Sequence, residues 1–104
     1  MSIKGSDYRW LRDALDRGDL ALVKATAAQL PAINLEDALE VALLVIEHEP
    51  HNAERAAVRW LGRLCLERRE VTLAQVREAL DAFALLVGEP EAAEARLRRL
   101  AGRS

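Results

Sequence analysis

The feature that most constrains this chain is the segment 35–48, "LEDALEVALLVIEH". Leu39, Val41, Ala42, Leu43, Leu44, Val45 and Ile46 leave almost no polar face when wound at 3.6 residues per turn. A helix apolar nearly all round must be covered on several sides. Its few acids, Glu36, Glu40 and Glu47, lie near one edge. The remaining segments therefore have to supply covering surfaces for it.

They read as helices too. No segment alternates with period two over a useful length, and there is no Asn-Gly or Asp-Gly hairpin signal. Leu and Ala dominate, Val and Ile are few and aromatics make up 4% of the chain, which is helix-forming composition. With 104 residues, 51% of them hydrophobic, one domain can bury about two-thirds of its unfolded surface without a disulfide or a metal. The single Cys65 excludes an internal disulfide.

Local signals set the boundaries of six helical segments. Ser6 is read as the N-cap of a helix over 7–17, with Tyr8, Leu11, Ala14 and Leu15 on its inner face, Trp10 at the edge, and Asp13 and Arg17 paired at i,i+4. Gly18 stops that helix and Asp19 caps the next, over 20–30, which Pro31 ends. Asn34 caps the apolar helix, with Asp37 at N3 in a variant capping box. "EPHN" at 49–52 breaks the chain before a helix over 53–68. Thr72 and Gln75 form a capping box for a helix running to 87, with Leu73, Val76, Leu80, Phe83, Ala84 and Val87 expected inside. Gly88 and Pro90 lead into a last helix over 91–100, buried along Ala93, Leu97 and Leu100. The ends, 1–5 and 101–104, are expected to fray. The fold expected is all-α: five to six short antiparallel helices as stacked helical hairpins, a right-handed superhelix-like bundle.

The stretch "RAAVRWLGRL" at 55–64 carries the strongest hint of a surface. On a helical wheel Ala53, Ala57, Trp60, Leu61 and Leu64 form an apolar face. Arg55, Arg59 and Arg63 step by four into a basic stripe bordered by Trp60, and Glu67 continues the step. Gly62 lies far from the main face, flanked by Val58, Cys65 and Leu66. A mid-helix glycine costs roughly 1 kcal/mol against alanine, so the sequence predicts that another helix backbone passes close to Gly62.

These residues resemble tetratricopeptide-type helical hairpins. Leu61 and Gly62 match the Leu-Gly pair of such a repeat, Ala79 and Phe83 its small and aromatic positions, and Pro90 the proline after it. Pro50 stands in the equivalent place after an earlier hairpin, with Ala38 twelve residues before it. Against this, Val58 and Cys65 replace the usual aromatic and tyrosine, and the prolines are 40 residues apart rather than the family's usual 34. The resemblance covers about 35–104 and suits HEAT-like hairpins equally. It implies a protein that binds peptides or proteins along a groove.

Catalytic chemistry finds little support. Serines occur only at 2, 6 and 104, Thr72 is committed as a cap, Thr26 sits in a packed helix, and Cys65 is read as a buried spectator. There is no glycine-rich phosphate loop. "EHEPH" at 47–51 is the one metal-like cluster, but Pro50 keeps His48 and His51 off one regular face and no third spaced ligand appears. The reading is therefore a non-enzyme with no cofactor and no metal.

The arginine stripe has two readings. Arg55, Arg59 and Arg63 are simply solvated or pair with Glu36, Glu40 and Glu47, which is the favoured reading, or they line an acidic-peptide groove with Trp60 as a flat anchor. The function expected is a small non-catalytic scaffold or adaptor that binds a protein or acidic peptide, with self-association as one form. Alternatives are nucleic-acid binding through the stripe with Arg96, Arg98, Arg99 and Arg103, and a small-ligand carrier. A formal net charge of −2 disfavours nucleic acid. Charge is uneven: residues 1–50 carry five basic and nine acidic groups, residues 51–104 ten basic and eight acidic. No secretion signal is visible at 1–10, and "VALLVI" at 41–46 is too short to span a bilayer. A cytoplasmic chain with no membrane partner is the expectation.

Overall fold

The computed structural model describes residues 3–30 and 32–102, with side chains from Tyr8 onward. It is an all-α bundle of six helices: α1 Ile3–Arg17, α2 Leu20–Ala28, α3 Leu35–His48, α4 Ala53–Glu67, α5 Leu73–Leu85 and α6 Pro90–Gly102. A 3₁₀ turn, Pro50–Asn52, joins α3 to α4. The most extensive packing is between α1 and α2, between α3 and α4, and between α5 and α6. The chain thus folds as successive hairpins. No described helix is long and apolar enough to cross a membrane.

The caps explain most boundaries. Gly18 has φ +68°, a left-handed conformation that ends α1. The Asp19 carboxylate accepts from the Leu22 N–H at 3.1 Å and starts α2. Asn34 accepts from the Asp37 N–H at 2.7 Å. Thr72 and Gln75 complete both halves of a capping box, at 3.1 and 2.9 Å. Several ends differ from expectation. Ser6 lies within α1 rather than capping it, α2 ends at Ala28 rather than 30, α5 at Leu85 rather than 87, and α6 runs through Ala101, fully buried, to Gly102. Pro31, read as the stop of α2, lies outside the described residues.

As its composition demands, α3 is covered on opposite sides. Leu35, Leu39, Ala42 and Leu43 join one core with Trp60, Leu61 and Leu64 of α4, Ala79 and Ala82 of α5, and Leu97 and Ala101 of α6. Val41 and Leu44 pack against a second core, Leu11 and Ala14 of α1 with Val23 and Leu30. Ion pairs fasten α1, α2 and α6 to α3 and to its C-cap residue, Glu49. Arg12 of α1 meets Asp37 at 2.8 Å, Lys24 of α2 meets Glu49 at 2.8 Å, and Arg98 of α6 grips both oxygens of Glu40 at 2.7 and 3.0 Å. The expected Asp13–Arg17 pair forms at 3.1 Å.

Four expectations about faces are overturned. Tyr8, expected on the inner face of α1, is exposed and its hydroxyl donates to the Ala32 carbonyl. α5 turns Ala79 and Ala82 inward, with Phe83 and Leu86 partly buried, and leaves Leu73, Leu80, Ala84 and Val87 exposed. Size of side chain suggested the other face, but α5 packs on α6 through a shallow alanine surface that allows close approach. Gly62 has no atom within 4 Å of where a Cβ would stand, so no helix backbone passes there. Val58, Cys65 and Leu66 around it are exposed, so this side of α4 is uncovered and Cys65 is not the buried spectator expected.

Candidate functional site

The arginine stripe borders an open groove of about 390 Å³ between α3 and α4. Its floor is apolar: Ala38, Val41, Ala42 and Val45 from α3, Ala56 from α4, and Ile33 from the loop before α3. The Val41–Val45 spacing places both side chains on one face of α3, one turn apart. Lys24, Glu49 and Asn52 close one end, and Arg55, Arg59 and Arg63 line the α4 side.

The four candidate residues play different parts. Trp60 is 3% exposed and its indole N–H donates to the Leu35 carbonyl at 3.0 Å. Its ring meets Phe83 edge-on, with centroids 6.0 Å apart. Trp60 therefore supports the groove from the core, with only an edge in its wall. Arg63 is anchored: it pairs with Glu67 one turn on and donates to the Ile33 carbonyl. Arg55 and Arg59 are exposed, and neither forms an ion pair or a side-chain hydrogen bond with a described residue.

The acids expected to neutralise the stripe are elsewhere. Glu40 is held by Arg98, and neither Glu36 nor Glu47 pairs with the stripe among the described residues. The groove's one carboxylate, Glu49, is engaged by Lys24 and by Asn52 at 2.9 Å. Those two hydrogen bonds, Lys24 first, hold the Glu49 carboxyl below its ordinary value of 4.5. With Lys24 matched to Glu49 and Arg63 to Glu67, Arg55 and Arg59 are the two uncompensated charges on an apolar trough.

Such an arrangement can take a ligand with carboxylates on one edge and an apolar body. Guanidinium forks a carboxylate through two parallel hydrogen bonds, and the trough removes apolar surface from water. No hydroxyl, thiol or imidazole lines the groove. The His48–His51 region does not gather into a metal site: among the described residues no three His, Cys, Asp or Glu side chains converge. His51 lies instead beside Asn52, at 3.4 Å.

Sequence reasoning missed Lys24, Glu49, Val41 and Val45 as parts of this site. Glu49 drew attention only as a possible metal ligand, and nothing local marks Lys24 as its partner 25 residues away. Comparison with known family models, curated proteins and solved structures gives no match for this chain.

Proposed function

We propose that the chain is a small non-catalytic scaffold of stacked helical hairpins, of the tetratricopeptide-like or HEAT-like kind, that binds an acidic segment of a protein in the α3–α4 groove. The observation that carries this reading is the pair Arg55 and Arg59, unmatched by any described acid and one helical turn apart along an apolar trough. The spacing suits a peptide that presents carboxylates at intervals of a turn and apolar side chains between them. Its setting is the cytoplasm. The nucleic-acid reading draws less support, because Arg98, one of its arginines, is engaged by Glu40 and Glu94.

The test is fluorescence anisotropy with three labelled peptides of one apolar pattern, bearing Asp and Glu, Asn and Gln, or Lys between the leucines. The acidic peptide should bind, and added salt should weaken it. In the Arg55→Ser/Arg59→Ser double variant its affinity should fall by about tenfold or more, the loss of roughly 1.4 kcal/mol or more in charge-assisted contacts. Equal binding of the acidic and neutral peptides, or no binding at low salt, rejects the proposal.

A further inference from the structure

α5 carries a second unpartnered surface, and its residues are arranged to match a copy of themselves. Leu73, Leu80 and Val87 are 88%, 52% and 95% exposed. They are spaced by seven, which sets Leu80 within about 20° of Leu73 around the helix. Val87 lies just past the end of α5, in the hydrogen-bonded turn that includes Gly88 N–H to the Leu85 carbonyl. On one flank of this stripe stand the exposed Arg77 and Asp81. Neither pairs with a described residue. On the other flank Val76 and Phe83 are partly buried and carry no charge.

We infer that two copies of this chain associate through α5, antiparallel about a two-fold axis at Leu80. An isologous contact requires a self-complementary patch. With the axis at Leu80, Leu80 meets Leu80 of the other copy, and Leu73 meets Val87 at both ends. In antiparallel helix pairs the same flank of each helix faces its counterpart. Arg77 then lies opposite Asp81 of the second copy, about 3 Å apart along the axis at 1.5 Å rise per residue, and the pair occurs twice; the two Asp81 side chains come equally near along the axis, each flanked by an arginine of the other copy. A parallel pairing would set this charged flank against the uncharged one and form neither Arg77–Asp81 contact, so the charge pattern favours the antiparallel arrangement by two attractive contacts against one approach of Asp81 to its counterpart. Charges bordering an apolar seam set partner and orientation in this way in coiled coils.

Sedimentation velocity of the full chain over a concentration series tests this. A reversible monomer–dimer equilibrium is expected. Leu80→Glu should weaken it by about a hundredfold, since it places like charges across the axis, with an unchanged circular dichroism spectrum because Leu80 is already half exposed. Arg77→Asp should weaken dimerisation, and Arg77→Asp combined with Asp81→Arg should restore it. A chain that stays monomeric to millimolar concentration overturns the inference, and so does a dimer indifferent to Leu80→Glu. An α5 surface that takes only a helix of another protein gives the first of these results. The groove residues sit on α3 and α4, so failure here leaves the peptide-binding reading standing.

Discussion

The indole nitrogen of Trp60 lies 3.0 Å from the carbonyl oxygen of Leu35, joining the middle of α4 to the first turn of α3 beneath the groove. One side chain thus satisfies its own buried donor, fills the main core and fixes the spacing of the two walls. A groove built this way depends on Trp60 without presenting its ring to a ligand.

Replacing Trp60 separates these contributions. Trp60→Phe removes the N–H and part of the ring, and should cost about 1–2 kcal/mol in urea denaturation followed by circular dichroism. Trp60→Ala leaves a large cavity between α3, α4 and Phe83, and should cost roughly 3–5 kcal/mol. Because Trp10 is exposed, the buried indole supplies the blue component of the native emission. Trp60→Phe should therefore shift the folded protein's fluorescence to the red. An unshifted spectrum would contradict the burial of Trp60.

Gly62 and Gly18 should respond to alanine in opposite directions. Neither has an atom near the position of a Cβ, so sterics do not separate them. Backbone conformation does. Gly62 is helical, exposed and open to space, and Gly62→Ala should stabilise by about 0.5–1 kcal/mol through helix propensity alone. Gly18 has φ +68°, and Gly18→Ala should destabilise by roughly 1 kcal/mol. Denaturation midpoints of the two variants check this directly. Destabilisation by Gly62→Ala would reinstate the close helix contact that the sequence suggested.

That contrast shows which parts of the molecule the sequence made legible. The limits of α3, the Asn34 cap, the Thr72–Gln75 box and the Gly18–Asp19 joint all follow from residues within one turn of each other, where chemistry is local. The need to cover α3 on opposite sides followed from its composition. The inner face of α5 and the surroundings of Gly62 did not, because those depend on which helix arrives as a neighbour. A leucine-rich face is only a candidate core, and alanines win where helices approach closely. The groove was half legible: the Arg55–Arg59–Arg63 stripe is a helical period, but its freedom from Glu40 rests on Arg98, 58 residues away. Arg68 is a similar case, donating to the Leu100 and Ala101 carbonyls at the end of α6 with no local signal.

Glu49 should give the acid limb of the stability curve a measurable signature. Lys24 and Asn52 hydrogen-bond its carboxylate and lower its pKa from 4.5 in the folded protein. The unfolded chain then takes up the proton first as pH falls. The stabilisation is complete above the unfolded value and is lost as pH drops through the lower folded value. Glu49→Gln cannot titrate there. Wild type should be more stable than the variant at neutral pH, and the gap should begin to narrow near pH 4.5 and close below the folded-state value. Lys24→Met removes the largest cause of the shift and should flatten the same part of the curve. Added salt should shrink the neutral-pH gap as well, because the pair lies at the mouth of an open groove. Thermal midpoints of the three proteins across the acid range provide the measurement. A gap that persists unchanged at the acid end would show that Glu49 contributes through packing rather than through its charge.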